Sequence, residues 1–331
     1  MSESRSFQTN LSKPSLSKPS LSKPSLSQSV LSDSTLVNTR LSNTRYPCPA
    51  KLNLFLQFIG QRDDGYHLLQ SYFQLLDFGD ELEIKINSSS KINFTCNNIE
   101  LESNNNLVMK AARLLQGKLK TTQGADIHLI KRLPVGGGVG GGSSNCASTL
   151  VALNQLWSIG LTNDELALIG ESLGADVPFF IRGKSAFVEG IGEKITPLAI
   201  KPAYFLVIQP DCSVSTSEIF SNPLLTRNSK AITIRDLETL GLPFEGFNRM
   251  QNIVCEQSST VSNALKWLKS HNKSARMTGS GSSLFAVFDN QEEATKIATL
   301  SEPSWLTFVA RGIADSPLHT MFSLHTVGTA N

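Results

Sequence analysis

ADIHLIKRLPVGGGVGGGSSNCASTLVALNQLW, Ala125 to Trp157, changes character twice within 33 residues. Ala125–Leu133 alternates apolar and polar side chains, the period of a half-buried strand. PVGGGVGGGSS (Pro134–Ser144) then supplies six glycines and two serines. Beyond Asn145 the positions Ala147, Leu150, Val151 and Asn154 recur at helical spacing, and Gly160 is placed to close that helix. Glycines let a backbone take left-handed angles and approach a ligand closely. The free N–H groups and dipole of the helix start then face an anion, and a polyphosphate is the natural guest. The expected contact set is Pro134, Val135, Gly136, Gly137, Gly138, Val139, Gly140, Gly141, Gly142, Ser143 and Ser144. A flexible linker would not be flanked by a strand and a patterned helix. No Gly-Lys-Ser/Thr follows, so this is not a Walker loop. No acidic residue ends a suitably placed next strand, so it is not a dinucleotide loop either.

Upstream, AKLNLFLQFIG (Ala50–Gly60) alternates with Leu52, Leu54, Leu56 and Phe58 on one face, which puts Lys51 and Asn53 together on the other. Asp64-Gly65 is a turn signal. Tyr66–Asp77 fits a helix or a strand, Glu81–Ile86 reads as a further strand, and Asn106–Gln116 as a helix with Gly117 near its end. Downstream, Thr162 and Glu165 form a capping-box pair that opens a helix ending near Gly174. GADVPFF (Gly174–Phe180) follows at once. From Ala203 a second α/β unit is read. It has a strand at Tyr204–Gln209, helices near Thr216–Phe220 and Ile253–Ser270, the loop TGSGSS (Thr278–Ser283), and a strand at Leu284–Phe288.

Two charged residues stand out. Lys51 lies in an otherwise apolar strand, and Asp176 in a Gly-Ala-Asp-Val-Pro corner. Singly, each has an ordinary reading: a strand-edge lysine with its head in water, and an aspartate shaping a turn. Beside a phosphate loop the pair suggests a kinase. Asp176 would accept the proton of an attacking hydroxyl, and Lys51 would pair with it and steady developing charge. Gly279, Ser280, Gly281 and Ser282 are a candidate second wall for the phosphates. Tyr66, His67, Phe73 and Phe220 are able to stack on a base. With water, the hydroxyls of Ser143 and Ser144 can help hold Mg2+; no protein carboxylate is assigned to the metal, and Ser144 is the candidate ligand.

The 331 residues are 40% apolar, enough for a real core, and the net charge of +2 gives no footprint for nucleic acid. Five cysteines lie far apart with no CxxC pair, which reads as reduced thiols. No apolar run approaches the roughly 20 residues of a membrane span, and no signal-peptide core is seen. Residues 1–45 are Ser-rich, with LSKPS three times in tandem from Leu11 to Ser25. Six Lys/Arg against Glu3 and Asp33 give this segment +4. It reads as a disordered tail, either a solvated extension or an organelle transit peptide.

LPVGGGVGGGSSN (Leu133–Asn145) resembles the central motif of the GHMP kinases. PAKLNLFLQFIGQRDDGYHLLQSYFQLLD (Pro49–Asp77), GADVPFFIRGKSAFVEGIGE (Gly174–Glu193) and RMTGSGSSLFAVF (Arg276–Phe288) are similar to one branch of them, the kinases of 4-diphosphocytidyl-2-C-methyl-D-erythritol. The resemblance implies a two-domain α/β (α+β) fold. A ribosomal-protein-S5-like ATP-binding domain would span 46–200, and a ferredoxin-like C-terminal domain 201–331. It implies transfer of the ATP γ-phosphate, with Mg2+, to the 2-hydroxyl of that cytidyl diphosphate in the non-mevalonate route to isoprenoid precursors. By matching position Lys51 and Asp176 are the catalytic pair. Asn53, Tyr66 and His67 fall where the family holds the cytidyl group and acceptor. Thr216 and Phe220 match its second-domain contribution, Phe220 on the cytosine, and Lys131 contacts ATP. The implied partners are small molecules, neither nucleic acid nor membrane, and the motif wording implies a bacterial-like cytoplasmic enzyme over a plastid one.

Val139 stands where the family usually has Leu, and Cys146 where it has Ala. Ile253 after Asn252 breaks the usual Asn-Asp pairing. Two rival readings stay open: a GHMP kinase for homoserine or a mevalonate-type alcohol, and a non-catalytic nucleotide- or RNA-binding protein on the same scaffold.

Overall fold

The computed structural model describes residues 44–119, 121–240 and 246–326. The expected tail therefore lies outside the described residues up to position 43. Arg45, its last residue, already opens the first strand. That strand, β1 (Arg45–Gln61), turns at Arg62–Tyr66 into β2 (His67–Asn87). The open reading of Tyr66–Asp77 resolves as strand, and Glu81–Ile86 is not separate but the far end of β2. The reason is the partner: β1 pairs antiparallel with β2 from Gln61↔His67 to Arg45↔Glu83 and carries it past Gly79. A Cβ at Gly79 would sit 2.1 Å from the Cys48 carbonyl oxygen, so this glycine permits a close strand approach between the two stretches.

β3 (Ile92–Cys96), α1 (Leu107–Leu119) and β4 (Gly124–Ile130) follow. β4 stops short of the expected Leu133 because the Asp80 carboxylate accepts the N–H groups of Arg132 and Leu133, both at 2.7 Å. α2 (Gly141–Leu156) begins inside the glycine run, so Gly141–Ser144 form its first turn. It closes at Trp157, and Gly160 falls in the connection beyond. Asn154 ties this connection down through both backbone groups of Leu161. The Thr162–Glu165 capping box opens α3 (Asn163–Glu171), and α4 (Val177–Arg182) ends at left-handed Gly183.

β5 (Ala186–Gly190) and β6 (Lys194–Pro197) complete the first half. Then come β7 (Tyr204–Gln209), α5 (Thr216–Ser221) and α6 (Ile234–Leu240). The expected helix Ile253–Ser270 is two helices, α7 (Gln251–Gln257) and α8 (Ser259–His271). Ser258 is extended and caps α8 by accepting the Val261 N–H, which breaks the run. β8 (Arg276–Met277), β9 (Leu284–Phe288), α9 (Gln291–Ala298), β10 (Leu306–Ile313) and α10 (Pro317–Thr326) end the chain.

The result is a mixed α/β fold on one sheet, in the order β3-β4-β2-β10-β7-β9-β8, with β1 and β5 also on β2 and β6 on β5. Among the named strands of the described residues, only β3 and β4 pair in parallel. β10 crosses between the halves: it pairs with β7 and touches β2 at Gly312↔Leu76 and Ile313↔Leu75. One core lies between the first-half strands and α1–α4, and α10 joins it through Leu318 and Phe322. A second core sits among β7, β9, α7 and α8, and a third, containing Leu52, Leu54 and Phe55, lies between them. The five cysteines are free. Among the described residues no helix is long and apolar enough to cross a membrane.

Candidate active site

β1 alternates as expected but is buried on both faces, so Lys51 is not an edge lysine: it is 4% exposed. Its ammonium donates to Asn53 Oδ1 at 2.6 Å, lies 3.4 Å from Asp176 Oδ2, and sits 4.4 Å from the centre of the Phe73 ring. The period of two that paired Lys51 with Asn53 is thus realised, and the fold adds the aspartate. The Asn53 amide is oriented by donating to Ser71 Oγ at 2.8 Å, which leaves Oδ1 for the lysine. Asp176 precedes α4 but makes no capping hydrogen bond with its side chain. Its carboxylate is therefore free to face the cavity.

The glycine loop docks on β1, where the Lys51 N–H donates to Val139 O at 3.0 Å. Gly136, Gly138 and Gly140 all take positive φ. At Gly138 a Cβ would lie 2.6 Å from the Thr278 carbonyl oxygen, and at Gly140 2.7 Å from the Phe180 ring. The second loop packs directly on the first, with Ser283 N donating to Gly137 O at 3.2 Å. Thr278 Oγ1 accepts the Asn53 N–H at 2.9 Å.

Two cavities meet across the glycine loop. One, of about 300 Å³, is lined by Asn106, Leu107, Lys131 and Pro134–Ser143. The other, of about 450 Å³, is lined by Lys51, Asn53, Phe73, Asp176, Thr216, Phe220, Gly279 and Ser280. Gly136, Gly138, Gly140 and Ser143 line both. Ser144 lines neither. One helical step rotates it inward, where its hydroxyl is fully buried and without a partner. Gly281 and Ser282 also stand back, Ser282 donating to Cys212 O. Thr216 bonds Ser280 at 2.8 Å, so α5 and the second loop are tied together. Tyr66 is 60% exposed in the β1–β2 turn and lines neither cavity. His67 is behind the wall, its ring 5.1 Å from that of Phe220. Burial and the neighbouring Arg227 hold its pKa below the usual imidazole value.

Several residues carry the site without having stood out in the sequence. Asp80, 1% exposed, accepts Lys131 Nζ at 2.6 Å and Asn145 Nδ2 at 3.0 Å besides the two loop-entry N–H groups. Asn248 donates through Nδ2 to Met277 O and Gly279 O, fixing the second loop. One aspartate in an acid-bearing strand and one asparagine after Phe247 give no local signal; only their partners distinguish them. Val139 and Cys146 are buried core residues, and Ile253 fills the second core. Among the described residues no group of three or more His, Cys, Asp or Glu could hold a metal ion.

The GHMP kinases N terminal domain matches residues 106–184, and the GHMP kinases C terminal domain residues 228–299. The 4-diphosphocytidyl-2-C-methyl-D-erythritol kinase of Mannheimia succiniciproducens is 48% identical over 83% of this chain and 90% of its own. The chain belongs to the GHMP kinase family. The protein of the same name from Pseudomonas paraeruginosa is 47% identical over 82% of this chain and 95% of its own. A crystal structure of 4-(cytidine 5'-diphospho)-2C-methyl-D-erythritol kinase superposes with a TM-score of 0.73 at 28% identity, covering 81% of this chain and 99% of that one. As a GHMP kinase the chain uses ATP as co-substrate, and its glycine run lies inside the matched N-terminal domain.

Proposed function

We propose that this GHMP kinase transfers the γ-phosphate of ATP to the 2-hydroxyl of 4-diphosphocytidyl-2-C-methyl-D-erythritol, in the non-mevalonate route to isoprenoid precursors. The relatives that support this substrate are 46–48% identical over most of the chain. The observation that carries the chemistry is the buried Lys51 ammonium 3.4 Å from Asp176, in a cavity that shares its glycine-loop wall with a second one. ATP takes the smaller cavity beside Lys131, its phosphates on Pro134–Ser143 and its γ-phosphate reaching the second loop across the shared glycine wall. The acceptor takes the larger, with Asn53 and Thr216 as polar contacts and Phe220 and His67 toward the base. Tyr66 reaches the base only if the β1–β2 turn folds over it.

In the transfer, the acceptor oxygen bonds to the γ-phosphorus as the bond to the β–γ bridging oxygen breaks, ADP leaves, and Asp176 accepts the hydroxyl proton. Lys51 faces both the carboxylate and the developing phosphoryl charge. The Ser143 hydroxyl at the cavity is a hard oxygen donor and fits Mg2+ that arrives on the ATP phosphates; Ser143, not Ser144, is then the hydroxyl within reach. Bound Mg2+ would offset charge on the transferring group. We assign residues 46–200 and 201–331 as the two domains, with α10 reaching back onto the first core, and the cytoplasm as the site of action, in keeping with the bacterial relatives.

The test is ADP release by the purified chain with ATP and Mg2+, offering 4-diphosphocytidyl-methylerythritol, homoserine and mevalonate. Turnover confined to the cytidyl compound is expected. Turnover with another alcohol instead would discard the substrate assignment and keep the kinase.

A further inference from the structure

Arg227 lies in no motif discussed above, yet its half-buried guanidinium makes four hydrogen bonds. Nε donates to His67 Nε2 at 2.8 Å, across 160 residues of chain. Nη2 donates to Phe220 O at 2.8 Å and Asn222 O at 3.0 Å, and Nη1 to Leu225 O at 3.0 Å. One planar fork thus joins the start of β2 to the end of α5. The two residues it holds are ring neighbours, and each also packs edge-on against Phe58 at 5.6 Å. Phe58 and Phe220 line the larger cavity. A guanidinium has no acceptor, so His67 Nε2 must be the unprotonated nitrogen, and the proton sits on Nδ1. An imidazolium would face the guanidinium as a like charge at hydrogen-bond distance.

We propose that Arg227 is a positioning residue for the base end of the acceptor pocket: it clamps the Phe220 segment onto His67 and holds that imidazole neutral in its Nδ1–H tautomer. The aromatic wall then keeps one pitch, so a flat heterocycle meets a prepared surface. This rests on the reading that the acceptor carries such a base. Lysine cannot replace the arginine, because a single ammonium cannot span the imidazole and three carbonyl oxygens in one plane.

The test has two arms on the full chain. Without any ligand, long-range 1H–15N NMR of histidine-labelled protein should show His67 with a protonated Nδ1 and a bare Nε2. Arg227→Lys should convert this to a mixture of tautomers. In steady state, Arg227→Lys should raise KM for 4-diphosphocytidyl-methylerythritol about tenfold more than KM for ATP, the scale of losing charge-assisted hydrogen bonds. An Nε2–H tautomer in the wild-type chain overturns the proposal and requires no variant to fold. Equal rises in both KM values overturn it too, since they would mean general loosening. If the wild-type chain phosphorylates a different alcohol, the base-end assignment falls, and the NMR arm still decides whether Arg227 sets the tautomer.

Discussion

At the scale of single residues the site depends on which charges are buried and with what. Asp176 keeps about a third of its side chain exposed and spends none of it on capping α4. Asp176→Asn removes the proton acceptor and keeps the shape. We expect kcat to fall at least about a hundredfold with ATP still bound, measured by ADP release and by ATP titration calorimetry. Undiminished kcat would remove Asp176 from the mechanism. Asp80 works differently. It is wholly buried and is the partner of a Lys131 that is itself 8% exposed at the side chain. Asp80→Ala leaves that ammonium buried and alone, and strands the N–H groups of Arg132 and Leu133. The expected cost is about 3 kcal/mol in urea unfolding, together with weaker ATP binding. A loss below about 1 kcal/mol would mean that water replaces the carboxylate.

At the scale of elements the two loops act as one wall. Gly138 is left-handed, with φ 74°, and its missing Cβ makes room for the Thr278 carbonyl. Gly138→Ala brings both backbone strain and a 2.6 Å contact. The expected result is a rise in both KM values, because the glycine loop lines both cavities, with far-ultraviolet circular dichroism retained. A change in KM for ATP alone would show that the loops move independently. Much of this element was legible beforehand: alternation read β4, glycine chemistry read the loop, and 3.6-residue spacing read α2. What misleads is punctuation: Tyr66–Asp77 and Glu81–Ile86 read as separate stretches and Gly160 as a helix stop, but β1 carries β2 through both stretches, and Asn154 secures the turn before Gly160 is reached. Ser258 was hidden because a serine inside an apolar period caps a helix only if the backbone bends there.

At the scale of the whole molecule, late chain is fastened onto early chain at two histidines. His67 is held by Arg227. His319, on α10, lies beneath Gly183 and interacts with the Ile181 backbone. Burial is the larger cause, and each ring is held below the ordinary imidazole pKa. The folded state then binds fewer protons than the unfolded chain. Stability should be complete above about pH 6.5 and should fall as the pH drops through that value toward the lowered folded ones. Urea midpoints measured from pH 8 to pH 5 check this, and a flat profile would contradict it. The glycine run, the Lys51–Asn53 pairing on one strand face, the α3 capping box and the family membership all follow from local patterns, because each depends on residues near one another in the chain. The meeting of Lys51 with Asp176, the burial of Asp80 under the loop, the inward turn of Ser144, the withdrawal of Tyr66 and the Arg227 clamp depend on contacts between distant segments. A side chain's neighbours across the fold leave no mark in its own stretch of sequence, so only packing could assign them.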